Sequence, residues 1–206
     1  MKHVVIVANG EQPRPPQHWN RIKRATPLIC TDGAANWLME NSVTPDVIIG
    51  DMDSLDEEIR EQLAKESIHH VTSQQNTDLE KALLYAIDEG YTAATVLSAT
   101  GKREDQTLAN FYLLAKYADR LQIQLLTNYA TIEPVTDSLT TRVEPGQTVS
   151  LLPVETATGV TTKGLEYPLE NETLEIGTRG VSNRATADEI TVSLQSGILL
   201  LFRNFD

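Results

Sequence analysis

Short apolar runs alternate with amphipathic stretches through the first 130 residues of the chain. The apolar runs predict buried strands at residues 3–8, 28–31, 45–49, 68–71, 94–97 and 121–127. Apolar positions at helical spacing predict helices at residues 19–24, 32–39, 55–65, 77–89 and 105–118. Parallel neighbouring strands need crossover connections, so this alternation predicts an α/β domain with a parallel, Rossmann-like sheet covered by helices.

The pattern changes near residue 130. From there to residue 206 the apolar runs are short, rich in β-branched residues and separated by glycine and proline, and no helical spacing survives. We predict strands near residues 148–152, 159–162, 173–176, 190–194 and 198–202. The chain is therefore expected to contain an α/β domain at residues 1–130 and an all-β antiparallel sandwich or barrel at residues 131–206.

The net charge of the chain limits the classes of ligand that it is expected to bind. The 206 residues carry a formal net charge of −12, which argues against a general nucleic-acid binder because no basic excess exists to neutralise a phosphate backbone. If a protein this acidic binds phosphate, we expect it to do so through a divalent cation. The same negative field suits a small cationic ligand.

Cysteine content and hydropathy bear on the compartment. Cys30 is the single cysteine and lies in an apolar run, so we expect a buried strand residue in a reducing compartment. The sequence has no apolar run long enough to span a membrane and no signal-peptide pattern. We expect a cytoplasmic protein that does not associate with membranes.

Two acids follow the third predicted strand. Asp51 and Asp53 are separated by one residue, and in an extended segment such residues point to the same side. Two converging carboxylates are suitable ligands for Mg²⁺, which leaves its other positions to water and phosphate. The alternative is a simple turn, with Ser54 and Glu57 as a helix capping box.

A glycine-containing junction follows the second predicted strand. Gly33 allows the backbone to approach a ligand closely, and the start of the helix favours anionic groups, so Asp32, Gly33 and Asn36 are candidate nucleotide-binding residues. Capping of the helix by Asp32 is the alternative.

The helix that begins near residue 77 carries a third cluster. Asp78 and Lys81 are three residues apart and share one face, where they are able to hold a metal and a phosphate. The alternative is structural, because Thr77 and Glu80 form a capping box and an acid is favoured in the first turn of any helix.

The fourth cluster is a charged loop after the fifth predicted strand. It departs from the Walker A phosphate loop, since Val96 stands at the first glycine position and Arg103 follows Lys102. Lys102 and Arg103 are nevertheless suited to clamp a polyphosphate, with Asp105 in reach of a metal or a hydroxyl proton. A solvated charged turn is the alternative.

Other chemistries are poorly supported by the sequence. The four histidines lack zinc-ligand spacing, and neither the serine hydrolase elbow nor the dinucleotide fingerprint is present. In parallel sheets ligands bind beyond the carboxyl ends of the strands, and all four clusters are expected at that edge. The combination of acids, lysine and arginine there points to metal-assisted phosphoryl chemistry.

Seven motifs, in this order, resemble those of the thiamine pyrophosphokinase family. They are DGAAN at residues 32–36, IGDMDSL at 49–55, QNTDLEKAL at 75–83, GKREDQTLAN at 101–110, VSLLP at 149–153, GVTTKGLEYPL at 159–169 and GVSN at 180–183. The resemblance spans nearly the whole chain. It implies an α/β domain that binds ATP and Mg²⁺, a β-sandwich that binds thiamine, and a homodimer whose active sites are shared between subunits.

The resemblance also implies a reaction and residue roles. The thiamine hydroxyl attacks the β-phosphorus of ATP, and thiamine diphosphate and AMP are the products. By position, the metal ligands are Asp51, Asp53 and Asp78, a further catalytic carboxylate is Asp105, the ATP contacts include Gln75, Thr77, Lys81 and Arg103, and the thiamine contacts are Ser182, Asn183 and Tyr167.

The chain departs from the family pattern at three positions. Lys102 replaces a usual second glycine, Gln106 replaces a usual histidine, and Gln74 stands where an aspartate is common. Lysine adds a possible phosphate contact to the fourth loop, whereas the loss of histidine removes one. Two further functions stay open on the residues alone, namely another D-x-D metal-dependent transferase that uses nucleotides, and a non-catalytic module that binds thiamine or nucleotide.

Overall fold

The computed structural model describes residues 1–205, which form two compact units. The first unit comprises Met1–Leu113 and Arg120–Thr127, and the second comprises Leu114–Asp119 and the described residues from 128 onward. Asp206, the last residue of the predicted second domain, lies outside the described residues.

The first unit is built on a parallel sheet. Its strands are β1 (His3–Val7), β2 (Leu28–Thr31), β3 (Val47–Gly50), β4 (Ile68–His70), β5 (Ala93–Leu97) and β6 (Gln122–Leu126), arranged in the order β6-β5-β1-β2-β3-β4. All five neighbouring pairs are parallel. The chain therefore leaves β1 toward β2 on one side and returns to β5 on the other, which makes the β1/β5 boundary a topological switch point.

Helices connect these strands. They are α1 (Pro16–Lys23), α2 (Asp32–Glu40), α3 (Glu57–Gln62), α4 (Asp78–Asp88) and α5 (Glu104–Lys116), with a 3₁₀ turn at Lys65–Ser67. Alternate residues of the central strands face opposite sides of the sheet, yet Val7 and Ile6 are both fully buried. Burial on both faces explains why the strands read as continuous apolar runs.

One predicted helix start is wrong and another is confirmed. The helix expected at residues 55–65 is only α3, and the predicted Ser54/Glu57 capping box is absent because Asp56 is the N-cap residue and makes no side-chain capping bond. Instead, Ser54 Oγ donates to Asp53 Oδ1 at 2.9 Å. The Thr77 cap is formed, since its Oγ1 accepts from the Glu80 backbone N–H at 3.3 Å.

The second unit contains two antiparallel sheets. Its strands are β7 (Ala130–Val135), β8 (Ser138–Arg142), β9 (Thr148–Pro153), β10 (Ala157–Lys163), β11 (Glu172–Leu174), β12 (Asn183–Arg184), β13 (Glu189–Ser193) and β14 (Leu199–Asn204). Within this unit β12-β9-β14-β7 form one sheet and β11-β10-β13-β8 the other. Leu151 and Leu201 of the first sheet share a core cluster with Val160 and Val192 of the second, so the fold is a β-sandwich.

The predicted fold class is confirmed, although three strands were not predicted. Polar residues dominate β8, β12 has two residues, and β7 contains Glu133 and Pro134, so none of them presents an apolar run. Within residues 1–205 no helix is both long and apolar enough to cross a membrane.

Candidate active site

A cavity of about 430 Å³ opens in the first unit beyond the carboxyl end of the sheet. Residues that follow two neighbouring strands line this cavity. They are Ala8, Asn9 and Gly10 after β1, and Ala99 and Thr100 after β5. The cavity is thus located at the switch point. Its other lining residues are Thr31, Ser54, Thr77, Asp78, Leu79, Lys102, Arg103, Gln106, Thr107 and Asn110.

Three carboxylates converge at this edge of the sheet. Asp32 begins α2, Asp51 follows β3, and Asp78 begins α4; one carboxylate oxygen of each lies within 4.8 Å of the others. Asp32 is buried, whereas Asp51 and Asp78 are partly exposed. The sequence predicted Asp51 and Asp78 as metal ligands but placed Asp32 among the nucleotide contacts.

Asp51 is held by two donors. Its Oδ2 accepts from Gln74 Nε2 at 2.9 Å and its Oδ1 accepts from the Asp53 backbone N–H at 3.4 Å. The Gln74 bond and then the backbone bond hold the pKa of Asp51 below its ordinary value of 3.8. Asp53 is exposed, and among the described residues it is not part of the three-acid group; its role as a metal ligand stays a prediction.

The acids repel one another electrostatically. Burial raises the pKa of Asp32 from 3.8, and the charges of Asp78, Asp51 and Asp53 raise it further, against the hydrogen bond from the Gly33 backbone N–H. A divalent cation among these groups relieves the repulsion. Hard carboxylate oxygens with access to water and phosphate are the donor set that Mg²⁺ prefers, so the residues present fit this ion.

Arg103 and Asp105 of the charged loop are already paired with each other. Arg103 donates from Nε and Nη2 to the two carboxylate oxygens of Asp105, at 3.0 and 2.6 Å. The hydrogen bonds from Arg103 lower the pKa of Asp105 below 3.8. Both side chains are exposed, so this pair is free to exchange partners when a ligand arrives.

Lys102 has a different kind of partner. Its Nζ donates to Asn9 Oδ1 at 2.9 Å, and this amide oxygen is neutral. Among the described residues Lys102 makes no ion pair, so its charge is available to a phosphate at the cavity.

The glycine of the DGAAN motif is required by close packing. A Cβ on Gly33 would lie 2.0 Å from Asn9 Nδ2 and 3.2 Å from Ser54 Cβ. The start of α2 is therefore wedged between the loop after β1 and the loop after β3. Asn36, on α2, makes hydrogen bonds to Ser54 and Asp56 of the loop after β3.

The remaining predicted nucleotide contacts occupy the approach to α4. Thr77 lines the cavity and caps the helix. Gln75 is exposed, and its backbone N–H donates to Ser73 Oγ at 3.3 Å.

The second unit brings the three predicted thiamine contacts together. Asn183 Oδ1 accepts from the Tyr167 backbone N–H at 3.1 Å, and Asn183 Nδ2 donates to the Tyr167 carbonyl oxygen at 2.7 Å. The adjacent Ser182 adopts a left-handed φ of 61° and donates its backbone N–H to Ser150 Oγ at 3.0 Å. The Tyr167 side chain is 66% exposed and free to contact a ligand.

Sequence reasoning missed three polar residues of the cavity. Asn9 accepts the hydrogen bond from Lys102, and in the sequence it stands out only as part of an Asn-Gly pair, which is typical of turns. Asn110 donates from Nδ2 to the Ala99 carbonyl oxygen at 2.8 Å, while its Oδ1 and the Thr31 Oγ1 are buried without a partner among the described residues. Such buried acceptors mark positions for a donor from water or ligand. Asn110 did belong to one of the recognised motifs.

Two family models match the chain. "Thiamin pyrophosphokinase, catalytic domain" matches residues 18–125, and "Thiamin pyrophosphokinase, vitamin B1 binding domain" matches residues 137–199. The first model covers more than half of the chain and contains all four polar clusters of the first unit.

Full-length relatives agree with the models. The thiamine pyrophosphokinase of Bacillus subtilis (strain 168) is 28% identical over 214 residues, with 100% of both chains covered. Thiamine pyrophosphokinase 1 of Arabidopsis thaliana is 28% identical over 230 residues, which cover 96% of this chain and 85% of the plant protein. The crystal structure of the Bacillus subtilis enzyme superposes with a TM-score of 0.87 at 26% identity over 100% of both chains. The chain belongs to the thiamin pyrophosphokinase family.

Proposed function

We propose that the protein transfers the pyrophosphoryl group of ATP to the hydroxyl of thiamine, giving thiamine diphosphate and AMP. The observation that carries this proposal is that Asp78, a member of the three-acid group, lines one cavity at the switch point of the sheet together with Lys102 and Arg103 of the cationic loop. Attack at phosphorus depends on charge neutralisation and in-line positioning more than on a strong base, and acids that can hold a divalent cation together with a cationic loop are suited to the neutralisation.

The polyphosphate of ATP is proposed to lie in the cavity. Lys102 reaches it with an unneutralised ammonium, and Arg103 does so once it leaves Asp105. Lys81 is buried and paired with Asp78, so it supports the acid rather than reaching the nucleotide directly unless that pair opens.

Asp51, Asp53 and Asp78 are proposed to hold Mg²⁺. When bound, this ion supplies neutralising charge to the phosphate oxygens. The proposal is supported by the convergence of Asp51 and Asp78 with Asp32, and Asp53 is included because it stands two residues after Asp51 in the D-x-D motif. Asp105 is proposed as a further carboxylate beside the metal or thiamine, a role that requires its release from Arg103.

Thiamine is proposed to bind to the β-sandwich domain, residues 131–206, while residues 1–130 bind ATP and Mg²⁺. Ser182, Asn183 and Tyr167 lie together there, and the negative charge of the chain favours the thiazolium ring. We further propose a homodimer in which the thiamine contacts of one subunit serve the acids of its partner. A cytoplasmic location is also proposed, because the single cysteine, Cys30, is free and buried, as expected in a reducing compartment.

Product analysis tests the reaction. The purified protein is incubated with Mg-ATP and thiamine, and nucleotides and thiamine phosphates are separated by chromatography. Equal amounts of AMP and thiamine diphosphate support the proposal. Thiamine-dependent release of ADP, or no turnover with thiamine, contradicts it and favours one of the two alternative functions.

A further inference from the structure

The loop that carries the two acids has an unfavourable backbone. It leaves β3 at Gly50 and reaches α3 at Asp56. Met52, between Asp51 and Asp53, has a φ of 65°, in the left-handed region that non-glycine residues rarely adopt. Such a conformation persists only where surrounding contacts hold it.

Asp32 holds the first half of this loop. Its Oδ2 accepts from the Met52 backbone N–H at 3.1 Å, and its Oδ1 accepts from the Gly33 backbone N–H at 2.7 Å. A Cβ on Gly50 would lie 2.7 Å from Asp32 Oδ2, so the strand end packs directly on the carboxylate. With 2% of its surface exposed, Asp32 is poorly placed to contact a nucleotide.

Asn36 holds the second half. Its Nδ2 donates to the Ser54 carbonyl oxygen at 2.9 Å, and its Oδ1 accepts from the Asp56 backbone N–H at 3.0 Å. Both polar atoms of the amide are therefore used within the loop. Asp32 and Asn36 are four residues apart on α2 and share one face.

We infer that Asp32 and Asn36 are positioning residues that fix the loop of residues 50–56, and thereby the two D-x-D carboxylates, rather than contacts to ATP. Their consequence for catalysis rests on the proposed function, but the clamp itself is a property of the free protein. A direct contact of Asp32 with a cation is compatible with this role, because each carboxylate oxygen offers two lone pairs.

Amide hydrogen exchange of the metal-free protein is the first test. In Asp32→Asn one backbone N–H of Gly33 or Met52 meets an amide donor instead of an oxygen, and in Asn36→Ala both bonds to the loop are lost. We expect faster exchange of the amides of residues 51–56 in each variant. The matched control is Asn41→Ala, which removes a side-chain bond from Nδ2 to the Trp37 carbonyl oxygen at the other end of α2; its loop should exchange as in the wild type.

Mn²⁺ titration followed by electron paramagnetic resonance is the second test. Asn36→Ala loses two hydrogen bonds to the loop, and we expect its dissociation constant for Mn²⁺ to rise about three- to tenfold. The dissociation constant of Asn41→Ala should stay unchanged. If Asp32→Asn does not fold, Asn36→Ala alone carries both tests, since Asn36 is only partly buried.

Amide exchange of the loop that is unchanged in Asn36→Ala would overturn the inference. An unchanged Mn²⁺ affinity together with a selective rise in the KM for ATP would also overturn it, because Asn36 would then be a nucleotide contact. The proposed function fails separately. If the loop and Mn²⁺ results hold but the wild type makes no thiamine diphosphate, the clamp stands and the reaction does not.

Discussion

Lys81 Nζ lies 2.8 Å from Asp78 Oδ1, and the lysine side chain is only 5% exposed. The two residues are three apart on α4 and face the same way. Among the described residues, Lys81 is thus the only lysine buried beside the three-acid group, and it is already paired with one of the three acids. Lys102, bonded to a neutral amide oxygen, is then the lysine best placed to meet a phosphate in the cavity.

Replacement of either member of the buried pair should destabilise the protein. Lys81→Met and Asp78→Asn each leave a partly or fully buried charge without its partner, and we expect each to lower the free energy of unfolding by about 1–3 kcal/mol. The double variant should lose less than the sum, with a coupling of about 1 kcal/mol or more in urea denaturation. Additive losses would show that the contact contributes nothing to stability.

Lys102→Met should weaken nucleotide binding selectively. Because a charge-assisted contact to phosphate is lost, we expect the KM for ATP to rise about tenfold or more while the KM for thiamine stays constant. Two controls bracket the effect. Lys23→Met removes an exposed lysine on α1 and should change neither constant, and Asn9→Ala keeps the Lys102 charge and should change the KM for ATP less than Lys102→Met. An equal effect of Asn9→Ala would assign Lys102 a role in loop structure instead.

The pKa of His18 provides a prediction outside the active site. Burial lowers this pKa from 6.5, and the positive charge of Arg21, one turn later on α1, lowers it further. The folded protein therefore binds fewer protons at His18 than the unfolded chain does. The corresponding stability is complete above pH 6.5 and is lost as the pH falls through the lowered pKa.

Nuclear magnetic resonance titration of the imidazole tests this electrostatic account. In Arg21→Gln the pKa of His18 should rise but stay below 6.5, since burial remains. Lys23→Gln, on the same turn but not a cause of the shift, should leave the titration unchanged. No rise in Arg21→Gln would mean that burial alone sets the pKa.

Mixed dimers test whether subunits share active sites. Asp53→Asn should abolish turnover with little effect on folding, because an exposed loop acid contributes little to stability. Ser182→Ala/Asn183→Ala should abolish it through the loss of the proposed thiamine contacts. Mixing the two inactive proteins, after subunit exchange, should restore some activity if each site uses both subunits. Sites built within one chain would give no recovery.

The sequence predicted those features that depend on local pattern. Strands β1 to β3 are apolar on both faces, Asp51 directly follows β3, and Asp78 begins the helix that comes after β4, so the edge at which the two acids meet was predictable. Contacts between distant segments were not. Asn9 and Lys102 are 93 residues apart, and the burial of Asp32 depends on the packing of Gly33 and Gly50.

The absence of the Ser54/Glu57 capping box shows that hydrogen bonds to other segments also override a local sequence motif. Ser54 matched the expected pattern with Glu57, but its hydroxyl bonds Asp53 and its carbonyl oxygen is taken by Asn36. Tertiary hydrogen bonds thus replaced the local motif and moved the helix start to a later residue.

Transfer of an isotopic label from the β-phosphate of ATP tests the proposed reaction most directly. In a single pyrophosphoryl transfer the β-phosphorus becomes bonded to the thiamine oxygen, so ATP labelled at that position should yield thiamine diphosphate that carries the label on its inner phosphate, together with unlabelled AMP. Label that stays in ADP, with thiamine phosphorylated only from the γ-position, would contradict the account.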